Sequence, residues 1–288
     1  MNNEVQSTGN RNFITLMVSP IRLDKDGVAV RALESLLAHC ESDRNLKQDK
    51  NVHMILYMGK KMGIQKDYVP RIIPLRSCKL NKPKDLRILL ITKDPSNKYR
   101  AALTADSATS DLFKEIISIK NLKRRFRGAK MSHIYKEFDL IVADFRVHHL
   151  LGDILGNRFY HGNKKLPFVI RFSRMVPAKG QKMPDECDPS YVRAQLRSIC
   201  KNTSYVPNND NCLSVKIGII GKTSVAEMIE NAHDVMEFLT DKNKRPQGGV
   251  IKGGITSVFV KTSNSPSLSI YEKARETTDE PRDEPLRL

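Results

Sequence analysis

The sequence is poor in the features that mark membrane and secreted proteins. No apolar run approaches the roughly 20 residues that a bilayer-spanning helix needs. The polar N-terminal segment lacks the charged and then apolar layout of a secretory signal. Tryptophan is absent, and aromatic residues make up only 6% of the 288 residues. We therefore expect no membrane partner. The lack of an RRM-type aromatic signature argues against recognition by stacking of single-stranded bases.

Cysteine is scarce, and its spacing carries no metal or disulfide pattern. The five cysteines lie at positions 40, 78, 187, 200 and 212 and form no Cys-x-x-Cys motif. This spacing argues against structural zinc and against a disulfide framework, and it is ordinary for a reducing compartment. We predict that the chain holds no metal.

No established catalytic motif occurs in the sequence. Gly221-Lys222-Thr223-Ser224 imitates the end of a phosphate-binding P-loop, but the position that requires glycine, five residues earlier, is Lys216. Asp144 and Arg146 follow an apolar strand, where open α/β sheets often carry active sites. The two histidines just beyond them are adjacent, so they cannot both face one metal from a regular helix. We predict no enzymatic activity, no cofactor and no small-molecule substrate.

Positive charge, in contrast, is abundant and spread over the chain. Lysine and arginine number 49 against 32 acidic residues, which gives a net charge of +17. Such a charge attracts polyanions, and nucleic acid is the default partner. Residues 272–288 reverse the trend and are acidic and rich in proline, which predicts a disordered tail. The basic clusters are Lys123–Arg127, which is the densest, Lys60-Lys61, Lys164-Lys165 and Lys242–Arg245.

The two ends of the chain show a mixed helix and strand pattern. Apolar residues at helical spacing predict a helix over residues 28–40. Asp188 followed by Pro189 starts a second helix, and a capping box at Ser224 opens a third. Short apolar stretches predict strands at Val52–Tyr57, which breaks at Gly59, at Arg71–Leu75, at Leu213–Ile220 and at Ile255–Val260, the last after a glycine-rich loop over Pro246–Gly254.

The middle of the chain alternates buried strands with helices, which is typical of a three-layer, Rossmann-like α/β unit with a parallel sheet. We therefore predict an α+β fold with an inserted α/β unit. A split first domain covers residues 1–82 and 173–271, and an inserted second domain covers residues 83–172. The predicted strands of the insert are Leu86–Ile91, Phe138–Ala143 and Leu166–Phe172, and its helices lie at residues 98–105, 109–120, 131–137 and 147–155.

Several stretches of the sequence follow the pattern of a known family. They are Tyr57-Met58-Gly59-Lys60-Lys61, Arg71-Ile72-Ile73-Pro74-Leu75, Phe138–Asp144 and Val258-Phe259-Val260-Lys261. These stretches resemble the ribosomal L1 family of large-subunit proteins. Residues 158–167, 187–215 and 240–255 look closer to a fungal nucleolar branch of that family. The resemblance covers residues 25–271.

The resemblance implies a two-domain ribosomal L1-like fold and an RNA-binding protein without enzymatic activity. The nucleolar branch implies a ribosome biogenesis factor for small-subunit rRNA processing, within the U3 snoRNP and the small-subunit processome. Its implied partners are processome proteins and structured RNA, either pre-rRNA or U3 small nucleolar RNA, in the nucleolus of the nucleus. Three alternatives stay open: a protein-interaction scaffold in the pre-ribosome, a structural large-subunit protein, and an enzyme with a nucleotide site in the insert.

The split domain is expected to carry the main RNA surface, with lysines on phosphates and hydroxyl groups on phosphate or ribose 2′-OH groups. One departure from the family lies in the closing loop, where Thr262-Ser263-Asn264-Ser265 replaces Ser-Thr-Met-Gly. The side chain of Ser265 hinders the close backbone approach that glycine permits. The candidate RNA-binding residues are Lys60, Lys61, Lys216, Lys222, Lys252, Thr262, Ser263 and Ser265. A secondary basic patch, for RNA or an acidic protein, comprises Lys123, Arg124, Arg125 and Arg127.

Overall fold

The computed structural model describes residue 23 and residues 27–126, 128–161, 165–174 and 185–273. Of the predicted disordered tail, Glu272 instead ends a strand, and residues 274–288 lie outside this range. No helix within it is long and apolar enough to cross a membrane. The helices are α1 Val28–Ser42, α2 Ser96–Ala105, α3 Ile119–Arg125, α4 Met131–Glu137, α5 Leu151–Leu155, α6 Asn157–Tyr160, α7 Pro189–Lys201 and α8 Val225–Thr240. The strands are β1 Asn51–Lys60, β2 Arg71–Ile73, β3 Ile88–Thr92, β4 Glu115–Ser118, β5 Leu140–Asp144, β6 Phe168–Ile170, β7 Thr203–Tyr205, β8 Cys212–Ile219, β9 Lys252–Lys261 and β10 Leu268–Glu272.

An antiparallel sheet in the order β10-β9-β1-β8 is built from the two ends of the chain. Side chains alternate between the two faces of a strand, and the even-numbered residues of β1 from Val52 to Met58 are buried. These residues share one core with Leu33 of α1 and Val235 of α8. The two helices therefore cover the inner face of the sheet, and the odd-numbered residues of β1 lie on the outer face.

A parallel sheet in the order β4-β3-β5-β6 is built from the middle of the chain. Every residue of β3 is buried, as expected for a strand that is covered on both faces. Leu90 faces a core that contains Tyr99 of α2, whereas Leu89 faces a core that contains Ile134 of α4. The predicted mixture of helices and strands with a parallel sheet is therefore confirmed.

The structure corrects the helix predicted over residues 109–120. Residues Glu115–Ser118 form strand β4, which pairs in parallel register with Leu89–Thr92 of β3. The side chain of Ser118 then accepts a hydrogen bond from the Asn121 N–H, so that α3 begins only at Ile119. The apolar residues of this segment fit a helical spacing, but pairing with a remote strand overrides that local pattern.

Helix α7 lies on the parallel sheet, although the predicted division assigns it to the first domain. Its side chains Val192 and Leu196 share a core with Ile88 of β3. The helix begins as predicted, because the Asp188 side chain accepts a hydrogen bond from the Tyr191 N–H at 3.1 Å. After α7 the chain enters the small sheet that β2 and β7 form. The division into two domains stays a prediction.

Candidate nucleic-acid interface

The outer face of the antiparallel sheet carries three transverse rows of side chains. Residues directly opposite each other on neighbouring strands lie on the same face of a sheet. The register of β1 with β8 and with β9 therefore fixes which residues lie together. The three rows are Lys216–His53–Lys261, Ser214–Ile55–Phe259 and Cys212–Tyr57–Ser257. We refer to these nine residues as the outer face.

Two aromatic rings lie side by side on the outer face. The ring centroids of Tyr57 and Phe259 are 5.7 Å apart, and the rings meet edge to face at 83°. Tyr57 is 38% exposed, so its ring is open to a ligand. Exposed aromatic rings on a β-sheet are surfaces on which unpaired nucleobases can stack. The pair could not be predicted from the sequence, because it requires the pairing of β1 with β9, although alternation along β1 places Tyr57 outside the core.

A basic row with one neutral histidine lies next to the aromatic pair. His53 stands opposite both Lys216 and Lys261. Burial lowers the pKa of His53 to about 4, and the charges of Lys216 and Lys261 act in the same direction. Burial, helped by the charge of Lys222, also lowers the pKa of Lys216. At neutral pH His53 is therefore uncharged, and Lys216 is a half-buried cation rather than an exposed one.

Replacing His53 with Gln should reduce the loss of stability on acidification. The pKa of His53 is about 4 in the folded chain and about 6.5 when exposed. The unfolded chain therefore binds more protons between these values, and stability falls as the pH drops from about 6.5 to about 4. We expect His53 to account for about 2 kcal/mol of that loss, because partial exposure weakens the effect. Urea unfolding at neutral and acidic pH measures it, and equal losses in both proteins would contradict the assignment.

Two glycines allow β1 and β9 to approach closely at the end of the sheet that carries Lys60. A Cβ atom on Gly59 would lie 2.5 Å from the carbonyl oxygen of Gly253, which itself has a φ of +72°. The strands continue past this point, so that Lys60 pairs with Lys252. The predicted strand break at Gly59 is therefore wrong, and β9 begins three residues before the predicted Ile255.

Lys60 and Lys61 are exposed at this end of the sheet, and neither forms an ion pair with a carboxylate in the described part of the chain. Lys252 is placed differently, because its ammonium group donates a hydrogen bond to the Met62 carbonyl oxygen at 2.7 Å. Its charge remains, but its position is fixed by the protein. Lys60 and Lys61 are thus the cations of this end that can move to meet a phosphate.

The predicted site residues do not form one cluster. Lys60, Lys61 and Lys252 lie at the end of β1, whereas Lys222 and the closing loop lie beyond its beginning. Strand β1 has ten residues, which corresponds to roughly 30 Å at about 3.3 Å per residue. Lys216 lies between the two groups on β8. A ligand that reached both ends would have to cross the outer face.

The closing loop uses two of its three candidate hydroxyl groups internally. The Ser265 hydroxyl accepts a hydrogen bond from the Thr262 N–H at 2.9 Å, and the Thr262 hydroxyl accepts one from the Ser265 N–H at 3.3 Å. The Asp49 carboxylate accepts the Asn264 N–H at 2.8 Å and anchors the loop. Thr262 and Ser265 are 0% and 4% exposed. This corrects the prediction that their hydroxyls contact RNA, whereas Ser263 is exposed.

Lys222 also has partners inside the protein. Its ammonium group donates a hydrogen bond to the Asn81 side-chain oxygen at 3.2 Å and lies 3.5 Å from the Asp85 carboxylate. The lysine therefore ties the turn after β8 to the segment before β3. Because the Lys222 side chain is still 43% exposed, its role as a phosphate ligand stays a prediction.

The secondary basic patch lies on helix α3 of the parallel unit. Lys123, Arg124 and Arg125 are exposed in its last turn. Arg125 pairs with the Glu115 carboxylate at 2.6 Å. Arg127 lies outside the described residues. The patch is thus separate from the antiparallel sheet, and the ion pair offsets part of its charge.

The structure offers no candidate metal site in its described ranges. No three His, Cys, Asp or Glu side chains there come together in a way that could hold a metal ion. The five cysteines are free thiols. The outer face presents aromatic, hydroxyl and cationic groups.

Comparison with known proteins identifies the family. Residues 36–266 match the sequence pattern of the Ribosomal protein L1p/L10e family. The chain is 63% identical over 262 residues to the Ribosome biogenesis protein UTP30 of Saccharomyces cerevisiae, which covers 90% of this chain and 96% of that relative. It is 26% identical over 215 residues to the Putative ribosome biogenesis protein C8F11.04 of Schizosaccharomyces pombe, which covers 74% of this chain and 52% of that relative. Both the extent of the family match and the identity to the first relative show that this chain belongs to the ribosomal protein L1p/L10e family.

Proposed function

We propose that this chain is an RNA-binding ribosome biogenesis factor without enzymatic activity. The observation that carries the RNA contact is the outer face, where the exposed ring of Tyr57 meets Phe259 next to the row that contains Lys216 and Lys261. Base stacking on such rings and phosphate neutralisation by lysine are the two main sources of affinity for single-stranded RNA. The role in ribosome biogenesis is supported by the names of the two relatives.

The finer proposal places the chain in small-subunit rRNA processing. Its partners there are structured RNA, either pre-rRNA or U3 small nucleolar RNA, and proteins of the small-subunit processome and the U3 snoRNP, in the nucleolus. The antiparallel unit acts as a split RNA-binding domain, and the parallel unit acts as an inserted second domain. The net charge of +17 supports a polyanionic partner, and membership of the L1 family supports an RNA.

The outer face suits unpaired nucleotides within a folded RNA. Tyr57 presents its ring to a base, and the hydroxyls of Ser214 and Ser257 lie in the same rows as the aromatic residues. Lys261 and the exposed lysines at the end of β1 flank these rows. The RNA backbone would follow the lysines while an unpaired base stacks on the ring, a mode of binding that the low aromatic content had argued against.

The double substitution Lys60→Gln/Lys61→Gln tests this placement by its salt dependence. Each lost phosphate contact should reduce the slope of log K against log salt by about 0.7–0.9, so the pair should reduce it by about 1.4–1.8. Titration of a U3 small nucleolar RNA transcript at several salt concentrations measures the slope. Lys82→Gln/Lys84→Gln, which removes two exposed lysines before β3, is the matched control. Equal slopes in the two double variants would overturn the placement of RNA at this end.

A second candidate function is a scaffold that neighbouring proteins hold in the pre-ribosome. The internal hydrogen bonds of Thr262 and Ser265 favour it, because these two buried hydroxyls are not available to RNA. Crosslinking in cells separates the two functions. Uracil adducts on peptides of β1 or β9 support direct RNA contact, whereas adducts confined to other proteins of the particle support the scaffold.

A further inference from the structure

The order of strands in the parallel sheet reverses between β3 and β5, which is where open α/β sheets form a crevice at the carboxyl ends of their strands. The chain runs from β3 to β4 on one side and then crosses to β5 on the other side of β3. In open α/β sheets, ligands bind outside the carboxyl ends of the strands at such a reversal. Strand β3 ends at Thr92 and β5 ends at Asp144. These two residues therefore mark the crevice.

Arg146 organises the side chains at this crevice. Its guanidinium group donates hydrogen bonds at 2.7 Å to the carboxylates of both Asp144 and Asp185. It also lies over the ring of Tyr99, 5.3 Å from the centroid, and that ring stacks on Phe172 at 4.6 Å. Asp144 is 1% exposed, so Arg146 is its necessary counter-ion. The guanidinium is thus held rigidly, with one edge directed at Asp185.

Asp185 sits in a ring of cations and donors. The ammonium groups of Lys98 and Lys93 lie 3.6 Å and 4.0 Å from its carboxylate, in addition to Arg146. The hydroxyl of Tyr99 donates a further hydrogen bond. The Tyr99 hydrogen bond, followed by that from Arg146, lowers the pKa of Asp185 to about 2. The Asp185 side chain is 46% exposed. It can therefore move away from these cations into solvent without becoming a buried, unpaired charge.

The first turn of α2 adds backbone donors on the same side. Helix α2 begins at Ser96, after the three-residue connection that follows β3, and has no side-chain cap at its N-terminus. The free N–H groups of a helix N-terminus favour an anion. Lys98 belongs to this first turn and Lys93 to the connection that precedes it. The ammonium groups of Lys93 and Lys98 therefore both lie on the side of the crevice where the helix begins.

An unpartnered hydroxyl lies at the base of the crevice. Thr92 is fully buried, and its Oγ1 atom has no hydrogen-bond partner in the described part of the chain. Ile91 is in register with Ala143, so Thr92 stands beside Asp144. Alternation along β3 puts Thr92 on the face of Leu90, which packs with Tyr99 and Phe172. A buried hydroxyl without a partner is costly and indicates a polar group that would complete the site.

We propose that the crevice at the carboxyl ends of β3 and β5 binds a phosphoryl group, and that the Asp185 carboxylate stands in for this group in the free chain. The phosphoryl group would displace Asp185 and take its contacts with Arg146, Lys93 and Lys98. Its source is either a free nucleotide or the 5′-terminal phosphate of an RNA. The inference is independent of RNA binding on the outer face, because it uses other residues of another sheet.

Asp185→Asn in the full chain tests the proposal. Removing the competing carboxylate should tighten the binding of inorganic phosphate by at least about fivefold, since a like charge a few ångströms away is also lost. Isothermal titration calorimetry measures this affinity. Asp139→Asn is the matched control. Asp139 is similarly exposed and pairs with Arg87 at 2.8 Å, but it precedes β5 and so lies at the amino-terminal end of the strands, opposite the crevice. Equal affinities in the two variants would overturn the proposal.

Lys98→Ala gives an answer that does not depend on the behaviour of Asp185. Stabilisation of the folded chain by inorganic phosphate, measured as a shift in Tm, should be smaller than in the original protein. Lys114→Ala is the control. The Lys114 side chain is about as exposed as that of Lys98 and pairs with Glu137 at 3.3 Å, but it lies just before β4, at the amino-terminal end of the strands. Equal shifts in the two lysine variants would count against the crevice.

The source of the phosphoryl group is decided with three further probes. Asp185→Asn is titrated with ATP, with a 5′-phosphorylated oligoribonucleotide and with the same oligonucleotide carrying a 5′-hydroxyl. If ATP binds more tightly than either oligonucleotide, the site takes a free nucleotide. If the 5′-phosphorylated oligonucleotide binds more tightly than ATP and than its 5′-hydroxyl counterpart, the site takes the 5′ end of an RNA. If neither Asp185→Asn nor Lys98→Ala changes the binding of inorganic phosphate or of any of the three probes, the proposed site is wrong. This outcome does not depend on the salt dependence of RNA binding to the outer face.

Discussion

Gly59→Ala should destabilise the folded chain by about 3 kcal/mol. The added Cβ atom would lie 2.5 Å from the Gly253 carbonyl oxygen, and a backbone atom cannot rotate away as the end of a side chain can. Relief requires β1 and β9 to separate, which breaks the pairing of Lys60 with Lys252. Urea unfolding monitored by circular dichroism measures the free energy of unfolding.

Gly152→Ala is the matched control for the effect of alanine itself. Gly152 lies inside α5, and a Cβ atom there would meet nothing within 4 Å. Alanine in a helix is more favourable than glycine by about 0.5–1 kcal/mol, so this variant should be slightly more stable than the original chain. If the two variants lose the same stability, β1 and β9 are not as close at Gly59 as the structure has them.

Helix starts were predictable from the sequence, because a cap is a local interaction. The Ser224 hydroxyl accepts a hydrogen bond from the Glu227 N–H, and the Glu227 carboxylate accepts one from the Ser224 N–H at 2.8 Å. Both partners lie within four residues of each other, so the pattern is visible in the sequence. The start of α7 at Asp188 and Pro189 was predictable for the same reason.

Strand boundaries were less predictable, because the partner that decides them is remote. Residues Glu115–Ser118 form a strand because they pair with β3, although their own apolar spacing fits a helix. In the same way, β1 continues through Gly59 only because Gly253 allows β9 to run alongside it. Neither contact can be found in an 11–18-residue window, which is about the range of periodicity analysis.

The candidate site shows the same division between local chemistry and remote geometry. The sequence indicated that lysines and hydroxyls are present, and Lys60 and Lys61 are indeed exposed. It could not indicate that Asp49 anchors the closing loop, or that Asp85 pairs with Lys222. Such partners lie far along the chain and decide whether a polar group is available to a ligand or is satisfied within the protein.

Tyr57→Ala should lower the affinity for RNA by about 5- to 150-fold, if the outer face is the binding surface. Loss of one stacked base costs about 1–3 kcal/mol, and the 38% exposure of Tyr57 keeps the cost to folding small. Tyr57→Phe should retain most of the affinity, because it keeps the ring that meets Phe259. Titration of the U3 small nucleolar RNA transcript at one fixed salt concentration measures the dissociation constants of the original chain and of the two variants.

The salt dependence separates this effect from that of the lysines. Stacking releases no counterions, so Tyr57→Ala should weaken binding without changing the slope of log K against log salt. Tyr68→Ala is the control, because Tyr68 is 46% exposed but its ring packs edge to face against Tyr160 of α6 and is not one of the nine outer-face residues. It should leave the affinity unchanged. Equal losses for Tyr57→Ala and Tyr68→Ala would show that RNA does not use the aromatic pair, and the RNA surface would then have to be sought elsewhere on the chain.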